Sequence, residues 1–310
     1  MKNTSPLFSI IMANYNNGCY ISEAIESVLQ QAYSNWELIV VDDCSTDNSL
    51  LVCNDYKNDS RIHILQNPRN RGLGYSRWYG CIESKGELMA YLDADDKLEP
   101  NALETMVNAH IMHPEWVLIG SKYRELWNDN QLVPYAYPVG PQKGELDDYI
   151  LSHPNRVVAF ASFKRSAYVK TSGFDATLRQ AEDKDIFLKL EEVGDVGCVG
   201  FVDESLYQYR QDNTNSLSLG SIEKIKKCAY YRSLVYLRAY YRRYVTKSVH
   251  YMRHKDEYAN KIYDELIGLV RNRRHIIEIR LVKYIYIYLL MNKFSKKSIK
   301  RSIKIILRKY

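Results

Sequence analysis

Two short, nearly continuous apolar runs, Phe8-Ser9-Ile10-Ile11-Met12 and Trp36-Glu37-Leu38-Ile39-Val40-Val41, flank a stretch whose apolar residues fall at Ile21, Ala24, Ile25, Val28 and Leu29. Runs of this kind suit strands covered on both faces, while the spacing from Ile21 to Gln31 is that of a helix packed along one side. Strand, helix and strand in that order make a parallel pair with a right-handed crossover, so both strands end on the same edge of the sheet. The chain is thereby constrained to an α/β fold with a mostly parallel central sheet. A third strand is expected at Ile62 to Gln66, a helix over Tyr75 to Glu83 and a fourth strand at Glu87 to Leu92.

Each strand runs into a polar loop. After the first comes Ala13-Asn14-Tyr15-Asn16-Asn17-Gly18, rich in side-chain donors and acceptors. After the second comes Asp42-Asp43-Cys44-Ser45-Thr46-Asp47, with Ser45 or Thr46 placed to cap the next helix. After the fourth, Asp93, Asp95 and Asp96 put three carboxylates into four positions. Open α/β sheets bind ligands at the carboxyl ends of their strands. Like charges this close repel, and a hard divalent cation with oxygen ligands compensates them. The plainer alternative is a solvated acidic turn ahead of a helix that starts near Pro100. The basic loop Asn67 to Gly74, with two glycines before a helix, suits a phosphate, although an ordinary loop-to-helix turn reads the same way.

Later in the chain, Gly173-Phe174-Asp175 marks a turn, and Gln180-Ala181-Glu182-Asp183-Lys184-Asp185 opens a helix over Ile186 to Glu192. Acids at that position complement the helix dipole or serve chemistry. Between the two halves, Trp116, Tyr123, Trp127, Tyr135 and Tyr137 are either the lining of a ligand pocket or the core of a strand pair.

Together, Ile10 to Asn16, Ile39 to Asp47, Gly86-Glu87 into Leu92 to Asp96, and Gly173-Phe174-Asp175 followed by Glu182-Asp183 closely resemble the family 2 glycosyltransferases. These are inverting enzymes of the Rossmann-like A-type fold, and the resemblance covers about the first 220 residues. It implies that Ala13 and Tyr15 sit against a nucleobase, that Asp43 binds a uracil imide, and that Asp93 or Asp95 meets the ribose. Asp95 with Asp96 would hold Mn2+ or Mg2+ on the diphosphate, and Asp183 would be the catalytic base; Asp42 is read as structural. Arg71 and Arg77 become phosphate candidates, although Trp78 stands where the family often has Asn. Glu182 and Arg210 join the nucleotide-sugar contacts, with Ser216 beside Arg210 as a further diphosphate candidate. Asp212 stands where many members place a metal- or diphosphate-binding His.

The remaining 221–310 is a different material. It holds 24 of the 43 Lys and Arg but only 6 of the 37 Asp and Glu, about +18, which leaves the first part near −12. Its pattern is helical and tyrosine-rich, with Ile299, Ile303, Ile306 and Tyr310 on one stripe of the last helix. Such helices suit an anionic membrane surface, a bundle on the catalytic domain or on a second copy of the chain, or nucleic acid, the last set aside as a partner. The six scattered cysteines read as reduced thiols. Met1 to Pro6 lacks the apolar core of a signal peptide, and Tyr284 to Met291 falls short of the roughly 18 residues of a bilayer span. The expectation is a catalytic domain over 1–220 and a helical polybasic region over 221–310, working from the cytoplasmic side at the membrane. Its task would be to move a sugar from a nucleotide sugar to a glycan or lipid-linked acceptor. The rival readings are a nucleic-acid-binding protein and an inactive nucleotide-sugar-binding scaffold.

Overall fold

The computed structural model describes residues 5–127, 130–134, 157, 160–211, 221–246, 248 and 265. Strands β1 (Phe8–Asn14), β2 (Trp36–Asp42), β3 (Ile62–Gln66) and β4 (Leu88–Tyr91) lie parallel in the order β3-β2-β1-β4. Asn14 stands opposite Asp42 and Asp42 opposite Gln66, so the loops after the first three strands leave the sheet at one level. Connecting them are α1 (Ile21–Leu29), α2 (Ser49–Asn54) and α3 (Leu73–Glu83). The chain steps from β1 to β2 on one side and reaches β4 on the other, which makes β1/β4 the switch point where such sheets open a ligand crevice.

Beyond β4 the sheet becomes mixed. In chain order follow β5 (Lys97–Leu98), α4 (Ala102–Met112), β6 (Leu118–Leu126), β7 (Leu132–Pro134), β8 (Ala161–Lys164), α5 (Arg165–Tyr168), α6 (Glu182–Val193) and β9 (Val199–Arg210). Strand β8 runs antiparallel to β4 and to β6, β9 is parallel to β6, and β5 closes the order antiparallel to β9. Strand β7 pairs with β6 alone, off that path. The β6/β9 register slips around Ser121 to Tyr123, an irregularity of the kind that bends a strand near a site.

Period-2 alternation sends Ile10, Met12, Leu38, Val40 and Ala90 into one core with Ile21, Ala24, Ile25 and Val28 of α1. Helix α3 packs on the same two strands, β1 and β2. Trp116 and Tyr123 belong to this packing rather than to a pocket. Trp116 stacks on His113 at 3.7 Å, and Tyr123 meets Tyr209 edge-on at 5.8 Å. Trp127 is exposed, and Tyr135 and Tyr137 lie outside the described residues.

The chain divides into two compact units, Met1–Asn215 and Ser216–Tyr310. In the second, α7 (Ile222–Thr246) is a single 25-residue helix. Its first turns expose Ile222 and Ile225, and Tyr230, Val235, Tyr236, Leu237 and Tyr240 are buried. Among the described residues no helix is long and apolar enough to cross a membrane, and all six cysteines are free thiols. The stripe from Ile299 to Tyr310 lies outside the described residues.

Candidate active site

The loops after β1 and β2 are knitted into one platform. Asp42 is fully buried; its Oδ1 accepts from Asn14 Nδ2 (2.8 Å) and Ser45 Oγ (2.5 Å), the structural part expected of it. Ser45 Oγ also accepts the Asn16 amide (2.9 Å), and Asn16 Oδ1 accepts that of Thr46 (2.8 Å). Neither Ser45 nor Thr46 caps α2. The N-cap residue is Asn48, without a side-chain cap, and Asp47 just before it accepts from the Ser49 amide (3.0 Å) and from Gly18 N (2.9 Å). Both loops turn through left-handed residues, Asn16 and Cys44, a conformation uncommon outside glycine that recurs at functional sites. On this platform Tyr15 is 44 % exposed beside half-buried Ala13.

Asp43 is 3 % exposed and reaches the third loop. Its Oδ1 accepts from Asn67 Nδ2 (2.8 Å) and the Arg71 amide (2.8 Å), and its Oδ2 from the Gly72 amide (2.6 Å). An ionised carboxylate has about four acceptor positions, so three are engaged in holding this loop. Gly72 has φ +90°, and a Cβ there would fall 2.6 Å from Arg179 Cδ. Arg179, which the sequence did not single out, thus lies across the loop, donating to Asn70 Oδ1 (2.9 Å). The half-buried Arg71 lays its guanidinium 4.0 Å over the Tyr75 ring.

The acidic turn separates its carboxylates by direction. The Asp96 amide donates to Asp93 O (3.1 Å), which closes a tight turn and leaves Asp93 and Asp95 half-buried while Asp96 points inward. Asp96, expected beside Asp95 as a metal ligand, is only 2 % exposed. Its Oδ2 accepts from the Tyr207 hydroxyl (2.7 Å) and its Oδ1 from the Arg210 amide (2.7 Å). Burial, together with repulsion from Asp95 and Asp93, raises its pKa well above the carboxylate range. It is a structural anchor of the turn. Arg210, expected as a diphosphate contact, is likewise engaged: Nε donates to Asp95 O (2.8 Å), Nη2 to Glu23 Oε2 (3.1 Å), and the group stacks 4.6 Å over Tyr20. The residue is buried, so it braces the acidic turn from behind. Nothing in the sequence singled out Glu23 or gave Tyr207 a role.

Arg77 also departs from expectation. It is 3 % exposed, Nη2 donates to Asp93 Oδ1 (2.5 Å), Nη1 donates to Glu182 Oε1, and its face lies 3.8 Å over Tyr91. A guanidinium shut between two carboxylates is not open to a phosphate. Burial works against its charge, and Asp93 and Glu182 override it. Glu182 is itself buried, Oε2 has no hydrogen-bond partner, and burial raises its carboxyl to about 7 although Arg77 opposes this. Asp183 follows in the first turn of α6, half-buried, its Oδ1 accepting the Lys184 amide (2.7 Å). It lies close enough to add to the fields at Arg77, Tyr91 and Glu182. Helix α6 starts from Ala181 in the left-handed region (φ 58°), a conformation uncommon outside glycine. Asp212 and Ser216 lie outside the described residues.

Asp93 and Asp95 are hard oxygen donors that fit Mn2+ or Mg2+. Among the described residues no group of three or more His, Cys, Asp or Glu is placed to hold a metal alone. Two carboxylates suit an ion completed by substrate phosphates, as Mg2+ commonly is.

The model of the family described as glycosyl transferase family 2 matches residues 9–171, more than half of the chain. The chain belongs to glycosyltransferase family 2. This glycosyltransferase is 32 % identical over 195 residues to the hyaluronan synthase of Pasteurella multocida, covering 62 % of this chain and 19 % of the relative. The chain therefore spans about a fifth of that relative's length. Its fold matches S. aureus TarS 1-349 in complex with UDP-GlcNAc, with TM-score 0.60, 18 % identity, and 92 % and 86 % of the two chains covered. It also matches the mannosyltransferase PcManGT of Pyrobaculum calidifontis in complex with GDP-Man and Mn2+, with TM-score 0.58, 14 % identity, and 99 % and 82 % covered. These likenesses establish the A-type fold of this family 2 glycosyltransferase.

Proposed function

We propose that the protein transfers a sugar from a nucleotide sugar, UDP-linked, to a hydroxyl of a glycan or lipid-linked acceptor, with inversion at the anomeric carbon. The observation that carries this reading is the contact path Asp93–Arg77–Glu182 leading to Asp183, which gathers acids far apart in the chain at the carboxyl end of the sheet. Tyr15 and Ala13 receive the nucleobase, and Asp43 offers its remaining acceptor position to the uracil imide. Arg71 serves the diphosphate. Asp183 takes the acceptor's proton as that oxygen bonds to C1 from the face opposite the diphosphate; the C1–O bond breaks, and the nucleoside diphosphate leaves with the electron pair. An α-linked donor gives a β-glycoside. Mn2+ or Mg2+ on Asp95 and Asp93 would supply charge neutralisation to the departing diphosphate.

The basic region is proposed to rest on an anionic membrane surface at its cytoplasmic side, where Ile222 and Ile225 stand exposed among Lys224, Lys226 and Lys227. The assay is nucleoside diphosphate release from UDP-glucose, UDP-N-acetylglucosamine, UDP-glucuronate and GDP-mannose with Mn2+. Release is expected to stop on EDTA addition and to return with Mn2+. Asp183→Asn is expected to slow it by about 10²- to 10⁴-fold with UDP binding retained. Equal rates for the variant and wild type overturn the assignment of the base.

A further inference from the structure

The two carboxylates held by Arg77 come from different parts of the fold. Asp93 lies in the turn after β4, and Glu182 in the first turn of α6, immediately before Asp183. Beneath the guanidinium, Tyr91 of β4 stacks with Phe187 of α6 at 6.0 Å, so the same two elements also meet through their rings. The Arg77–Glu182 pair is made out of water, at 3 % exposure on both sides, while the Arg77–Asp93 pair is shielded on the guanidinium side and leaves the Asp93 side chain 36 % exposed. Buried ion pairs seldom improve on well-packed apolar residues for stability, which leaves the geometry they impose as the property to explain. Arginine imposes geometry well, because its donors are fixed in one plane and two acceptors can be held at a set separation.

We propose that Arg77 is a positioning residue: it fixes the donor-side carboxylate Asp93 relative to the helix turn that carries Asp183, so that the anomeric carbon and the proton acceptor are aligned before the acceptor hydroxyl arrives. The inference rests on the transfer reaction proposed above. Arg77 acts on substrate only through Asp93 and through the α6 turn that Glu182 anchors. Misplacement of reacting groups by about 1 Å costs on the order of 10²-fold in rate, so a link of this kind shows in turnover more than in nucleotide binding.

Arg77→Lys keeps the charge but reaches one carboxylate at a time. With UDP-N-acetylglucosamine or whichever of the four donors turns over, and Mn2+, kcat is expected to fall about 10- to 100-fold. UDP affinity by titration calorimetry is expected to stay within about threefold, because the nucleobase platform lies on β1 and β2. An arginine that merely supports the fold gives the opposite pattern: UDP affinity and folded fraction fall together, and kcat per folded molecule holds. A second measurement pairs Asp93→Asn with Glu182→Gln. In the wild-type chain their combined effect on kcat is expected to be at least about fivefold smaller than the product of the single effects, and in R77K to equal that product. Effects that multiply in both backgrounds overturn the proposal. A wild-type chain that turns over none of the four donors removes the transfer reading and this proposal with it, whereas an active wild type whose R77K variant keeps its kcat overturns the proposal alone.

Discussion

Glu182 keeps a proton at a pH where an ordinary glutamate has lost it. Burial lifts its carboxyl from 4.5 to about 7, Arg77 pulls against that, and Asp183 adds to it. Between those values the folded chain binds a proton that the unfolded chain releases. The stabilisation from this residue is therefore complete below about pH 4.5 and is lost as pH rises through about 7. The urea midpoint is expected to fall from about pH 5 to about pH 8, and Glu182→Gln, which cannot ionise, to remove that share of the fall; an unchanged pH dependence in the variant would assign it to other groups. Asp96 shows the same physics with a different outcome. Its raised pKa goes with donors on both oxygens, so it anchors, whereas Glu182 retains a buried oxygen without a hydrogen-bond partner.

Helix α3 owes its placement to what its N-terminus can approach. Gly74 N donates to Leu178 O (3.2 Å), and a Cβ on Gly74 would fall 2.5 Å from the backbone oxygens of Asp175 and Leu178. Those are main-chain atoms of the segment leading into α6, so they do not yield as a side chain does. Gly74→Ala is expected to destabilise the protein by about 1–3 kcal/mol, although alanine is the better helix former. Denaturant titration checks this, and a variant as stable as wild type would show that the segment shifts freely. Because α3 carries Arg77 and the segment carries α6, the same substitution is also expected to lower turnover, read by nucleoside diphosphate release.

The charge divides as the units do: the acidic share falls in the catalytic part and the basic share after residue 220. A run of charge this one-sided suits an anionic partner. Each Lys or Arg near an anionic surface contributes about 1 kcal/mol, screened by salt. The full chain is expected to sediment with phosphatidylglycerol vesicles at low salt, to release in about 0.5 M NaCl, and to ignore phosphatidylcholine vesicles. Binding to RNA but not to vesicles would favour the nucleic-acid reading instead.

The apolar pattern placed β1 to β4 with α1 and most of α3, because burial on both faces of a parallel strand, or along one stripe of a helix, leaves its mark residue by residue; the short α2 had no such stripe and was expected only from its caps. The acids at the strand ends were legible for the same reason: composition changes abruptly where a strand leaves its sheet. Pairing of β8, β6, β9 and β5 was not legible, since hydrogen bonds between distant strands leave no local pattern. Nor was the division of labour among Asp93, Asp95 and Asp96. Neighbouring aspartates are chemically alike in a sequence, and only the turn closed by the Asp96 amide, with Tyr207 and Arg210 brought up from β9, sends one inward and leaves two half-buried. Arg77 is the same case. The sequence determined that a guanidinium stands on α3; which anions it meets depended on where β4 and α6 come together, because the reach of a charge in a folded protein is set by distance through space and not by separation along the chain.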